Sequence, residues 1–287
     1  MINKLKAYAE LIKFEHTIFA LPFAISAVFI VEKGLPSLDK LFWILVAVIA
    51  GRTAGMAFNR FFDLPFDKLN PRSKNWASVS GKVKSLEIFL LAIFSSIVLV
   101  FSAYQLNQLA FYLSPVAILL LILYPLGKRF TNYVHLMLGA VYFIIPIAVS
   151  VALKGTVELS SVFLGLGMAF WVSGFDILYA LQDIEFDRKI GLHSIPAKYG
   201  IKKAIFFARF FHFLTLIFLV LTGVYAGLSY IYYIGLAFLT GFLVYEHLLI
   251  KENDLSKINK AFFTINGFIS ILFMVIVILD IYIGGLL

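Results

Sequence analysis

Apolar residues run through this chain in long stretches broken by short polar gaps. Nine stretches stand out, at about 16–32, 41–60, 86–104, 109–126, 133–153, 159–181, 202–225, 229–250 and 261–284. A helix needs about 20 apolar residues to cross the hydrocarbon core of a bilayer. In lipid the backbone must satisfy its own hydrogen bonds, and none of the stretches alternates as a barrel strand would, so the pattern predicts helices. Between the third and fourth stretches only Tyr104 to Gln108 intervene, which predicts a tight helical hairpin. The expectation is an all-α, polytopic membrane protein of about nine spans around a central cavity, forming one domain over 1–287. The basic start, MINKLKAYAELIKFEH, lacks a small-residue cleavage site and is expected to be an amphipathic lead-in to the first span.

Composition agrees. Hydrophobic residues make up 62% and charged residues 14%, against about 45–50% and about 25% in soluble domains. The net charge of +8 would suit nucleic acid, but the basic residues lie in short gaps where no groove can form, so nucleic acid is excluded and the bilayer is the expected partner. Absence of cysteine removes thiolate chemistry and cysteine metal sites. Nine spans place twenty Lys and Arg on the side of the N-terminus and three (Lys33, Lys40, Lys154) on the other, with Arg52 inside a span. Cytoplasmic loops carry the excess of basic residues. That rule puts the N-terminus and the long loops in the cytoplasm, in the inner (plasma) membrane of the cell.

The chemistry concentrates at two acidic clusters. GFDILYALQDIEFD carries Asp176, Tyr179, Asp183 and Asp187 at spacings of 3, 4 and 4, which on a continuous helix share one face. NRFFDLPFD carries Asn59, Asp63 and Asp67, with Arg52 seven residues before Asn59 on the same face. Pro65 is expected to break or kink this helix near Leu64 and to turn Asp67 away. Asn59, Asp63 and Asp67 precede Tyr179, Asp183 and Asp187 by 120 residues each, a weak internal duplication with halves of about 1–130 and 131–287. Stacked carboxylates suit a hard cation, Mg²⁺ above all, which binds through a few carboxylates, water and substrate phosphates. Arg72, Lys128, Arg129, Arg188 and Lys189 surround them, and acids with bases together suit a metal-bound diphosphate. Arg52 is a candidate for holding a substrate carboxylate. Glu246, His247, Asp280, His135 and His212 are expected to be packing or interfacial groups, since no HxxxH or HExxH pattern exists.

These motifs, N-R-x-x-D-x-x-x-D and D-x-x-Y-x-x-x-D-x-x-x-D, resemble the UbiA superfamily of intramembrane prenyltransferases. The stretches at Lys13–Ala24, Asp67–Ser73, Leu123–Thr131 and Asp183–Gly200 look like its 4-hydroxybenzoate polyprenyltransferase branch. QDIEFDRKIGLHSIP is also similar to a subgroup linked to 1,4-dihydroxy-6-naphthoate in the futalosine route. The resemblance implies a cytoplasmic cap and a Mg²⁺-dependent transfer from a polyprenyl diphosphate to an aromatic acid, in quinone biosynthesis. Asn59, Asp63, Asp67, Asp183 and Asp187 would be metal and diphosphate ligands. Arg72, Lys128, Arg129 and Lys189 would bind diphosphate, Asp176 and Tyr179 would be catalytic, and Arg52 would hold the acceptor. Two positions depart from the common pattern: Arg60 follows Asn59 in place of an aspartate, and Trp76 stands where a second arginine is frequent. A different acceptor is the nearest alternative. An ion-coupled transporter is the rival from another class, but its acids would lie near mid-membrane rather than beside basic residues at one edge. A CDP-alcohol transferase would need a D-G-x-x-A-R element, which is missing.

Overall fold

The computed structural model describes residues 2–13 and 17–284. Residues 14–16, shared by the expected lead-in and the start of the first span, lie outside the described residues. The helices are α1 (Ile2–Leu11), α2 (Thr17–Glu32), α3 (Leu38–Asp67), α4 (Ser85–Leu106), α5 (Gln108–Leu126), α6 (Val134–Lys154), α7 (Leu159–Ala180), α8 (Ile184–Ile190), α9 (Ile195–Ala226), α10 (Tyr230–Leu249) and α11 (Asn266–Ile283). Among the described residues, 8 helices are long and apolar enough to cross a membrane, and a shorter apolar helix covers Phe19–Glu32. That helix is α2, apolar on every face, as a helix enclosed by others must be. Its Phe23 stacks on Phe273 of α11 at 4.8 Å between centroids and meets Trp171 of α7 at 4.9 Å.

The outer helices turn the usual amphipathic rule inside out. On α4, Leu86, Leu90, Phe94, Ile97 and Phe101 recur at spacings of 4, 4, 3 and 4 and are exposed, whereas Ala92, Ser95, Ser96, Ser102 and Ala103 are buried. Small residues inside let helices approach, and large apolar ones outside meet lipid. The expected hairpin is tighter than the pattern suggested, with Asn107 alone between α4 and α5. Its side chain accepts from the Ala110 N–H at 2.8 Å and donates to the Val151 carbonyl at 2.7 Å.

A close approach joins α6 to α7. A Cβ at Gly139 would lie 2.7 Å from the Ala169 carbonyl oxygen and would also strike the Ser173 hydroxyl. The bare backbone there allows Ser173 Oγ to donate to the His135 carbonyl at 2.9 Å. Gly139→Ala is therefore expected to destabilise the protein by about 1–3 kcal/mol, the range for overpacking. Thermal unfolding in detergent, compared with Gly241→Ala, whose added Cβ meets nothing within 4 Å, measures this. Equal midpoints would show that the α6–α7 contact is looser than described.

The two ends of the bundle differ in charge. Lys33 donates to the Ala226 carbonyl, Lys40 to the Leu153 carbonyl at 3.1 Å, and Lys154 pairs with Glu32 at 3.2 Å. These three lysines thus collect at one end. The loops carrying the acidic clusters meet at the other.

Candidate active site

Three connections build the cap: Asp67 to Ser85, Leu126 to Val134 and Ala180 to Ile195. In the first, Pro71–Ser73 form a short 3₁₀ turn whose Ser73 hydroxyl donates to the Asp67 carbonyl at 2.6 Å. That turn carries Asn70 and Arg72 across to the second acidic cluster. Asn70 Nδ2 donates to Asp183 Oδ1 at 3.0 Å, and Arg72 Nε donates to the same oxygen at 3.0 Å while Nη2 pairs with Oδ2. Lys128, from the second connection, pairs with Asp63 at 2.6 Å, and its carbonyl accepts from the His193 N–H at 2.7 Å. The two acidic clusters, far apart in sequence, therefore face each other across one opening.

Below the opening lies a cavity of about 610 Å³. Its mouth is lined by Asn59, Asp63, Asp67, Arg72, Lys128, Asp183 and Asp187, and its depth by Arg52, Tyr124, His135, Asp176 and Tyr179. Apolar side chains of α3, α4, α5 and α6, among them Ile44, Leu99, Leu113 and Ile147, complete the wall. One chamber thus joins charged groups at one end to a greasy interior.

Two local expectations are corrected. Pro65 does not break α3, which runs on to Asp67. The proline sits near the helix end, where it removes one backbone donor, and Lys68 N–H still reaches the Leu64 carbonyl at 3.1 Å. Asp67 consequently stays on the cavity wall, buried, with Arg60 Nη1 3.7 Å from its Oδ2. Asp176, Tyr179, Asp183 and Asp187 do not share one continuous helix. A 3₁₀ turn, Leu181–Asp183, separates α7 from α8. All four nevertheless line the cavity, because the turn bends the chain over its mouth.

Two basic residues are placed elsewhere. Arg129 is exposed and donates to the Phe62 carbonyl at 2.7 Å, supporting the last turns of α3 beside Pro65. Lys189 is exposed on α8, two positions and so about 200° around the helix from Asp187. Neither borders the cavity. The departures at 60 and 76 prove to be partners: Arg60 is buried with its guanidinium 3.9 Å from the Trp76 ring centroid. Indole faces attract guanidinium groups, so Trp76 holds the cation that stands where an acid is usual.

His135 belongs to the site, contrary to its expected packing role. It begins α6, is 2% exposed, and its Nδ1 lies 2.6 Å from Asp176 Oδ2. Tyr179 is sandwiched, its ring stacked on Phe262 at 4.1 Å with the Arg72 guanidinium 5.1 Å away. Glu246, His212 and His247 form a separate buried network: Asn266 donates to Glu246 at 2.7 Å, and the two imidazoles meet at 2.9 Å. Asp280 caps α10, accepting from the backbone N–H of Ser229 and of Tyr232 at 3.0 Å.

The donor set fits a hard cation. Asp63 Oδ1 and Asp67 Oδ2 are buried oxygens without a hydrogen-bond partner, while Asn59 donates its amide to Asp63 Oδ2 at 2.9 Å. Buried carboxylate oxygens need a cation or a donor. In the geometry described, Lys128, Arg60 and Arg72 supply the positive charge. Among the described residues, no three His, Asp or Glu side chains converge closely enough to chelate one ion.

A profile described as the UbiA prenyltransferase family matches residues 20–272. A 4-hydroxybenzoate octaprenyltransferase from Shewanella frigidimarina is 31% identical over 286 residues, covering 95% of this chain and 96% of that one. A UbiA homologue from Aeropyrum pernix superposes with a TM-score of 0.83 at 31% identity, covering 93% and 98% of the two chains. A UbiA homologue from Archaeoglobus fulgidus, bound to DMAPP and Mg²⁺, shares the fold at a TM-score of 0.70 and 18% identity, over 96% and 99% of the chains.

Proposed function

Because the chain belongs to the UbiA prenyltransferase family, we propose that this multi-pass membrane prenyltransferase moves a polyprenyl group from its diphosphate to the ring of an aromatic acid, with Mg²⁺. Asn59, Asp63, Asp67, Asp183 and Asp187 hold the metal and Arg72 and Lys128 the diphosphate. The observation that carries this reading is the pairing of Arg72 with Asp183 and of Lys128 with Asp63 over one cavity. The relatives named 4-hydroxybenzoate octaprenyltransferase favour 4-hydroxybenzoate as the acceptor. The Archaeoglobus homologue with DMAPP and Mg²⁺ favours the metal.

The steps follow from the wall of the cavity. Apolar side chains hold the prenyl chain and exclude water from the reacting carbon. Arg72 and Lys128 bind the diphosphate as the allylic C–O bond breaks, and Tyr179, its ring held between Phe262 and the Arg72 guanidinium, fixes Arg72 beside the cavity. Mg²⁺, when bound, offsets charge on the leaving group. Arg52 holds the acceptor carboxylate so that the ring carbon beside the phenol faces the cation. The excess of basic residues at the capped end supports a cytoplasmic opening. A transporter would place its acids near mid-membrane, whereas these line the mouth at one end.

The test is direct. Purified protein with a polyprenyl diphosphate and Mg²⁺ is expected to prenylate 4-hydroxybenzoate, read by mass spectrometry, with 1,4-dihydroxy-6-naphthoate as the second acceptor. EDTA is expected to stop the reaction and added Mg²⁺ to restore it. No product with either acid, or full activity in EDTA, overturns the reading.

A further inference from the structure

We propose that His135 is the catalytic base of the transfer and that Asp176 positions it, an inference that rests on the proposed function. Asp176 is itself the obvious base from sequence, being an acid within a span. The geometry assigns it differently. Its Oδ2 is 2.6 Å from His135 Nδ1. An ionised carboxylate can only accept, so Nδ1 must carry the hydrogen. The other nitrogen, Nε2, is then left with its lone pair. It is buried without a hydrogen-bond partner on a residue that lines the cavity.

Burying a polar nitrogen unpaired is costly, and an unfilled acceptor beside a substrate chamber is what a base needs. The surrounding packing fixes the position of the ring. Gly139 lets α6 approach α7, and Ser173 Oγ holds the His135 carbonyl at 2.9 Å. A second nitrogen oriented by a carboxylate on the first is the general logic of a histidine base.

The step balances as follows. The allylic C–O bond breaks with its electron pair leaving on the diphosphate. A ring π pair forms the new C–C bond beside the hydroxyl. The C–H bond at that carbon then breaks, its pair restores the aromatic ring, and the proton goes to Nε2. The imidazolium, held against Asp176, gives up the proton to water that enters as the prenylated acid leaves. Asp176 stays ionised throughout.

His135→Gln keeps the size and the backbone contacts but removes the base, which should make proton loss slow. With 4-hydroxybenzoate deuterated beside its hydroxyl, the native enzyme is expected to turn over the two isotopic forms at similar rates. His135→Gln is expected to lower kcat about 10²–10⁴-fold, as loss of general-base catalysis predicts, and to slow the deuterated form a further twofold or more. An unchanged kcat overturns the assignment. So does a lower kcat with the native isotope ratio, which marks a merely structural role. If His135→Gln does not accumulate in membranes, the ratio is read in Asp176→Asn, whose amide can donate to Nδ1 and place the hydrogen on Nε2. A native isotope ratio there also overturns the assignment. Native enzyme that prenylates neither acid refutes the function itself, which the unlabelled control reports separately.

Discussion

Asp183→Ala is expected to lower prenyl transfer by about 10²–10³-fold or more while the protein still folds and inserts. Asp183 accepts from Asn70 Nδ2 and from Arg72, so it is where the first cap loop is fastened to the second. Its loss would remove a proposed metal ligand and also free Arg72 from its set position. Removing one preorganised electrostatic contact costs about 10²–10³ in rate; losing the ligand and the anchor together should exceed a single contact. Because the residue lies in the cap, outside α7 and α8, stability should change little. Initial rates and thermal unfolding of the same preparation separate the two effects. An active Asp183→Ala, or one inactive only because it unfolds, would remove the metal-site account.

The second large effect is expected at Arg52. Its Nε is buried without a hydrogen-bond partner in the cavity wall, seven residues before Asn59 and so about 10 Å deeper along α3. A cation held there without an acceptor is poised for a carboxylate. Arg52→Leu is expected to lower kcat/KM for 4-hydroxybenzoate about a hundredfold or more, since losing one partner of a buried charged pair costs about 2–5 kcal/mol. The KM for the polyprenyl diphosphate should move little, and the variant should no longer prefer the acid over the uncharged 4-hydroxybenzamide. An equal loss for acid and amide would show that Arg52 shapes the wall without touching the carboxylate.

The spans and the acid clusters were legible because both rest on local rules. Long apolar runs must become helices in lipid, and charged groups at spacings of 3 and 4 share a face wherever the helix is continuous. The turn at Leu181–Asp183 changed the path and left the destination intact. Legibility stopped where a role depends on contacts between distant helices. His135 has no partner within helical reach in the sequence; it meets Asp176 41 residues later because Gly139 permits close packing of α6 on α7. The available signal was an ionisable group at the start of a span, next to a basic loop. Arg129 and Lys189 show the converse. Sequence places a base in a cap loop, but which way it points is set by the turn that carries it. Pro65 does not end α3, because it removes only its own backbone donor while the Lys68 N–H still reaches the Leu64 carbonyl.

The ion pairs of the cap have a consequence for how substrate is taken up and let go. Arg72 and Lys128 are already paired with Asp183 and Asp63, so on the proposed reading an arriving diphosphate would trade places with carboxylates rather than meet bare cations. The displaced Asp183 and Asp63 carboxylates would be left without their counter-charges, which Mg²⁺ would supply. The reverse exchange would then give the spent pyrophosphate a way out, because each cation could return to the acid it pairs with here.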